Sequence, residues 1–422
     1  MPRRIIPISS GKGGVGKTTF AVNFALTLSR HAPTVLVDLD TGTSSVRSTV
    51  PGEVAHDLYH FKRKGVPLRD CISRLDPQLD PDGLYRNFGF IAGPRNFIAE
   101  IANPDAAFRR QLAQEVSRLP AEYVVLDLRA GLDENVLDFL PYSNSGILVF
   151  TPQHPAATLA ASEIVKAILF RSLRILFGKG STFYTLPRME RYLGFINDML
   201  DRVEDVYETT LPNLDAFLVE LREALGDHPI LHVLSDTLES FRVYYVLNMF
   251  NGVEEGYQRA VVPFVENLTR HVSSHLNLTQ LGWIVADERI HRANCEGVPA
   301  VIERRHRAET RPRAAAVDPV MVELERLESA ALGLRRRERP TVVRTAKPEP
   351  PRAPMDLLDG QLQTLKAMYS DRTKDTVREN FSYVAYRALN LMSASYGNNE
   401  FGTTQLAAPE RLLDWYMSRQ PA

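Results

Sequence analysis

The chain has 422 residues and a formal net charge of −1, with 44% hydrophobic and 24% charged residues, which fits an ordinary globular protein of two domains or one large domain with appendages. No apolar run approaches the ~18 residues of a membrane-spanning helix, and two cysteines, Cys71 and Cys295, with no Cys-x-x-Cys, exclude a disulfide framework and a zinc or iron–sulfur site. A glycine-rich motif beginning at Gly11 leaves no room for a cleavable apolar leader, so a cytoplasmic, reduced protein is expected.

The first apolar run, Arg4–Ser9, reads as a strand that stops at a glycine-rich turn. Gly11-Lys12-Gly13-Gly14-Val15-Gly16-Lys17-Thr18 satisfies G-x-x-x-x-G-K-[ST] in the strand-before, helix-after context that the motif requires. Glycines let successive backbone N–H groups wrap a phosphate, and the helix starting near Lys17 adds the positive end of its dipole. Lys17 is then expected to reach the β- and γ-phosphates, Thr18 to ligate magnesium, and Thr19 to bond the α-phosphate. The alternative is a glycine-rich turn with a solvated lysine.

The helix Thr18–Arg30 follows, with Phe20, Phe24 and Leu28 on one face. Thr34–Asp38 is a short β-branched run, predicted as a buried strand, and similar runs recur at Phe88–Ala92, Tyr123–Asp127, Gly146–Phe150, Val243–Met249 and Gly282–Val285. Helical stretches at Ala106–Arg118, Ala156–Ile175 and Glu254–His275 separate most of them. Short apolar strands divided by helices predict an α/β fold, a doubly wound, mostly parallel sheet. Between about 176 and 240 the spacing is helical, with Leu193, Ile196, Met199, Leu200 and Val203 as its apolar face, and is expected to be a surface insertion. These elements make up a domain over residues 1–302. Residues 303–354 form a basic, Pro-containing linker with one helix, Val320–Leu334, and residues 355–422 a small helical region with Tyr383, Tyr386, Leu389 and Leu391 as packing residues.

The second lysine of the motif, Lys12, gives Ser10-Gly11-Lys12-Gly13-Gly14-Val15-Gly16-Lys17-Thr18-Thr19, which resembles the deviant Walker A motif of the MinD/ParA family of dimerising P-loop ATPases. Val35-Leu36-Val37-Asp38-Leu39-Asp40 resembles the family's strand ending in Asp-x-Asp, and Tyr123–Gly131 its Walker B strand and switch segment. Thr151–Pro155 is similar to the turn after the next strand, Val246-Leu247-Asn248 to the strand whose asparagine reads adenine, and Leu281–Arg289 (with Asp287) followed by Gly297-Val298-Pro299 to the closing strand and turn. The segment after Asp40 lacks the Pro-Gln-Gly of the chromosome-partition branch and is nearer the MinD or flagellar-number-regulator branch.

The resemblance implies an ATP- and Mg2+-binding switch that forms a homodimer when ATP is bound, hydrolyses ATP slowly, and acts in spatial positioning or assembly with a protein partner, a membrane surface or DNA. Gly11, Gly13, Gly14, Val15, Gly16, Lys17, Thr18, Thr19, Asn248 and Asp287 would form the nucleotide site. Lys12 would touch the partner subunit's phosphates, Asp40 would orient the attacking water, and Asp127 would hold magnesium through a water, with Asp38 supporting the metal shell. The plainer alternatives are turn or cap carboxylates for Asp38 and Asp40, and a backbone-satisfied buried amide for Asn248. Arg129 stands where the family usually has proline, and could face the γ-phosphate or be a loop charge.

Two other classes keep the same motif: an ATP-dependent metabolic enzyme of this fold, and a nucleotide-binding scaffold without turnover. The segment Pro409–Arg419 is read as a packed terminal helix over a membrane-surface one. Arg335–Arg339 with Arg304, Arg305 and Arg307 is read as a solvated linker over a DNA or lipid contact. His154, His271 and His275 are read as ordinary histidines over metal ligands. Tyr369, Tyr383, Tyr386, Tyr396 and Tyr416 are read as packing residues.

Overall fold

The computed structural model describes residues 4–40, 45–141, 144–178, 189–205, 210–226, 229–302, 354–370 and 376–395. Its strands are β1 (Arg4–Ser9), β2 (Thr34–Leu39), β3 (Phe88–Ile91), β4 (Tyr123–Leu128), β5 (Asn144–Phe150), β6 (Arg242–Phe250) and β7 (Asn277–Val285). They form one sheet in the order β3-β2-β4-β1-β5-β6-β7, and every pairing is parallel. The expected doubly wound α/β architecture is therefore present. β2, β4 and β5 are buried along their whole length, which is why they read as unbroken apolar runs rather than alternating ones.

Alternation still decides which face each side chain serves. Ile5, Val37, Leu126, Leu148 and Tyr245 point into one core, shared with the helix Pro155–Phe177. Ile6, Leu36, Val125, Val149 and Tyr244 point into the other, under the helix Lys17–Ser29. In that helix Phe20, Phe24 and Leu28 are all buried, and Phe20 stacks on Phe24 with ring centroids 5.4 Å apart. The chain winds to one side of β1 and later to the other, so the crevice at its C-terminal end is where such sheets hold ligands. The glycine-rich loop lies there.

Two elements differ from expectation for identifiable reasons. β7 begins at Asn277, five residues before the predicted start. Thr279 and Gln280 hide the strand pattern, and Gly282 (φ 146°) follows a register shift against β6. The predicted helix Glu254–His275 is interrupted by a π turn at Tyr257–Val261 and ends at His271. Pro263 sits just after the π turn; with no N–H to donate and a ring that crowds the preceding turn, it favours such a break.

The stretch between β5 and β6 adds the helices Met189–Glu204, Leu214–Leu225 and Pro229–Ser240. Leu193, Ile196, Leu200, Phe217 and Leu221 are fully buried and continue the core that lies under Pro155–Phe177. Asp215 anchors this unit by accepting from Ser273 Oγ (2.5 Å), Ser274 N (2.7 Å) and His275 Nδ1 (3.1 Å). The helices Pro354–Ser370 and Val377–Ser395 also join the sheet's two layers: Leu365 is buried in one core, and Phe381 and Val384 in the other. Leu389 is buried with them, while Tyr383, Tyr386 and Leu391 are partly buried. Residues 303–353, the segment Pro409–Arg419, Tyr396 and Tyr416 lie outside the described residues. Among the described residues no helix is long and apolar enough to cross a membrane.

Candidate functional site

β1 delivers the chain to Ser10, and the loop closes at Gly16, which caps the helix Lys17–Ser29 with no side-chain cap. Four N–H groups begin any helix without an intrahelical partner, so this turn presents donors to the loop mouth. Gly14 (φ 81°) and Gly16 (φ 79°) occupy the left-handed region, which other residues enter only at a cost. A Cβ on Gly16 would sit 2.3 Å from Asn248 Nδ2, and one on Gly11 2.3 Å from the Ala160 carbonyl carbon. At Gly13 and Gly14 a Cβ would meet no described residue within 4 Å. The loop is therefore clamped at Gly11 and Gly16 and open at Gly13 and Gly14. Lys12 is exposed there, its carbonyl accepting from Ser10 Oγ at 3.1 Å.

Behind the loop, residues distant in sequence converge. Lys17 Nζ donates to Asp127 Oδ1 at 2.6 Å and lies 3.9 Å from Asp40 Oδ2. Thr18 Oγ1 donates to Asp127 Oδ2 at 2.7 Å and shares a hydrogen bond with Ser45 Oγ at 2.9 Å. Asp38 is fully buried and accepts from the N–H groups of Asp40 (3.1 Å) and Gly93 (3.4 Å), so it orders the turn below the cluster. Burial raises the Asp40 carboxyl above the ordinary range despite the pull of Lys17; the Asp127 charge adds to the rise, and Arg129 opposes it. Two carboxylates facing one ammonium leave a net negative charge, a donor set that a hard divalent cation would complete. Lys17, Thr18, Asp38, Asp40 and Asp127 thus form one group. Arg129 turns aside: its Nη1 lies 3.4 Å from Asp133 and donates to the Ala102 carbonyl at 3.4 Å.

On the other flank of the loop a cavity of about 420 Å3 is lined by Gly16, Thr19, Asn248, Met249, Val285 and Asp287 among others. Thr19 Oγ1 donates to Asn294 Oδ1 at 3.3 Å. Asn248 Nδ2 donates to the Val15 carbonyl at 2.7 Å, so the amide is satisfied by loop backbone while also facing the cavity. Asp287 caps the helix Glu288–Cys295 and is gripped by Arg289, whose hydrogen bonds hold its carboxyl below the usual range. That leaves Asp287 a wall of the cavity with its charge already matched.

Several members carry no signal in the sequence. Ser45 precedes the short helix Val46–Thr49 and belongs to no motif position. Met249 adopts a left-handed backbone (φ 53°), which costs a non-glycine residue ~1–2 kcal/mol and aims its side chain beside Gly16. Of the histidines, His275 bonds Asp215, and His271, depressed by burial, lies near Lys166 and Arg270. Among the described residues no three His, Cys, Asp or Glu side chains form a metal-binding group.

A family model described as an AAA domain matches residues 3–170. The chain is 28% identical over 151 residues to a putative septum site-determining protein MinD of Chlorella vulgaris, covering 36% of this chain and 51% of that one. It is 30% identical over 155 residues to the chloroplastic septum site-determining protein MinD homolog of Arabidopsis thaliana, 35% and 45% respectively. It is also 29% identical over 175 residues to a cytosolic Fe-S cluster assembly factor NUBP2 homolog of Culex quinquefasciatus, 40% and 63%. The chain spans about half the length of the MinD relatives it matches. The matched segment holds the glycine-rich loop, Asp38, Asp40 and Asp127, so the part of the chain that carries this site is the part that is similar to MinD proteins.

Proposed function

We propose that this protein is an ATP-dependent dimerising switch of MinD/ParA type, which binds and hydrolyses ATP with Mg2+ and acts in spatial positioning or assembly regulation. The observation that carries the proposal is the convergence of Lys17, Thr18, Asp40 and Asp127 behind an open glycine loop whose second lysine, Lys12, is exposed. Lys17 exchanges its bond to Asp127 for the β- and γ-phosphates, and the backbone from Gly11 to Gly16 wraps them, with Thr19 near the α-phosphate. Thr18, and Asp127 and Asp38 through water, hold the cation, which when bound neutralises charge on the transferring group. Asp40, its carboxyl raised by burial, accepts a hydrogen bond from the attacking water and orients it. Asn248 and the wall around Asp287 hold the base. Lys12 reaches across to the phosphates of a second copy, so that ATP joins two protomers into a surface for a protein partner, a membrane or the nucleoid, and hydrolysis parts them. Residues 1–302 are the switch domain in this scheme, together with the helices Pro354–Ser370 and Val377–Ser395 that pack on its sheet.

The test is Asp40→Ala in the full chain, with Lys17→Ala beside it. Asp40→Ala is expected to bind ATP, lose at least tenfold in turnover and accumulate as a dimer in light scattering, while Lys17→Ala binds no ATP. A monomeric Asp40→Ala protein at saturating ATP would contradict the switch. Turnover raised by lipid vesicles, DNA or protein partners supports it, whereas turnover raised only by a small-molecule co-substrate points to a metabolic enzyme, and none at all to a scaffold.

A further inference from the structure

Among the described residues β7 is an edge strand, so alternate N–H groups along it point away from β6 with no neighbouring strand to accept them. Ala286 N points inward and donates to the Phe250 carbonyl at 3.0 Å. Val285 N points off the edge, and its acceptor is Asn380 Oδ1, 3.1 Å away on the helix Val377–Ser395. Asn380 is fully buried, and its Nδ2 has no hydrogen-bond partner among the described residues. An amide is costly to bury half-satisfied, so an apolar side chain would pack here at least as well; what it could not do is hold Val285.

Val285 is the last residue of β7, and with Ala286 and Asp287 it walls the cavity opposite Thr19. The helix that carries Asn380 is seated closely. Gly282 lets it approach, since a Cβ there would come within 2.9 Å of Val384 Cγ2. Arg387 Nη2 donates to the Gln280 carbonyl at 2.9 Å, and Arg4 Nη1 to the Leu389 carbonyl at 3.2 Å. Phe381 lies 5.9 Å, centroid to centroid, from Phe20 on the helix that follows the glycine loop. One C-terminal helix thus braces two walls of the same cavity.

We propose that Asn380 is a positioning residue for nucleotide: it fixes the 285–287 turn so that the cavity accepts the base-and-ribose end, which makes the C-terminal helix part of the binding site. This rests on the nucleotide site proposed above. The phosphate cradle lies on the other side of Gly16 and does not depend on the bond. Binding of ATP and of inorganic tripolyphosphate, which lacks base and ribose, separates the two ends. In the full-length chain, Asn380→Leu and the smaller Asn380→Ala are expected to weaken ATP about fivefold to tenfold, the scale of one lost neutral hydrogen bond, and to leave tripolyphosphate within twofold. Leu389→Val, on the same helix, is expected to lower the melting temperature with ATP affinity unchanged, and Lys17→Ala to abolish both ligands. Unchanged ATP affinity in both Asn380 variants, equal loss of ATP and tripolyphosphate, or equal weakening by Leu389→Val would overturn the proposal. If the unsubstituted chain binds neither ligand, the nucleotide site itself is wrong and the proposal goes with it.

Discussion

Lys17 and Asp127 show how much a single residue can owe to its partner. Asp127 is fully buried and Lys17 nearly so, and a buried ion pair is expensive to break because the survivor keeps its desolvation cost. Lys17→Met is therefore expected to destabilise the ligand-free protein by ~3 kcal/mol, beyond any effect on nucleotide. Adding Asp127→Asn removes the stranded charge, and the double variant should regain most of that loss in urea denaturation. Equal stability of single and double variants would mean that Thr18, which also donates to Asp127, suffices alone. Cys71 makes a related point: burial pushes its thiol up to about 11, whereas Cys295 is exposed. A thiol reagent on the native chain is accordingly expected to label Cys295 alone and to reach Cys71 only in denaturant; fast native labelling of both would contradict that burial.

At the scale of the element, the glycine loop is a set of unequal glycines. Gly16 combines a left-handed backbone with Asn248 at the place of its missing Cβ. Gly16→Ala should cost about 2 kcal/mol or more, strain and displacement together, and should unseat Asn248 from the Val15 carbonyl. Gly13→Ala meets open space and should leave stability within about 0.5 kcal/mol. Thermal melts of the two variants decide: equal losses would mean that the loop is uniformly strained. The motif G-x-x-x-x-G-K-[ST] requires Gly16 and leaves the Gly13 position open, but it does not record what Gly16 packs against. The clamp on Gly16 comes from β6, whose Asn248 bonds the Val15 carbonyl from 233 residues away along the chain.

For the whole molecule, the C-terminal helices behave as part of the sheet's covering. Leu358, Leu365, Met368, Phe381, Val384, Leu389 and Met392 are buried among strands and helices that precede them by many residues. Each fully buried apolar side chain contributes ~1.5–3 kcal/mol, so their sum rivals the ~5–15 kcal/mol net stability of a typical domain. A chain cut after Ile302 should expose the edge of β7 and aggregate on heating well below the full-length protein. A monomeric truncation melting within about 3 °C of full length would show that the helices merely rest on the surface.

The layers and the loop are legible in the sequence. Strand and helix periods are local, and the G-x-x-x-x-G-K-[ST] loop is written in eight consecutive residues, so both are legible in the chain alone. The sequence also places Asp38, Asp40 and Asp127 at strand ends, where a parallel sheet gathers them. Folded contacts between distant segments are what bring Lys17 onto Asp127 and Ser45 to Thr18, turn Met249 left-handed, and make the stretch between β5 and β6 continue a core. The same holds for Asn380, which looks like any helical asparagine until β7 lies beside it. Each of these depends on an unpaired group, a bare strand edge, a buried charge or an open cavity wall, finding its complement in a distant segment, and no local pattern records which segment that will be.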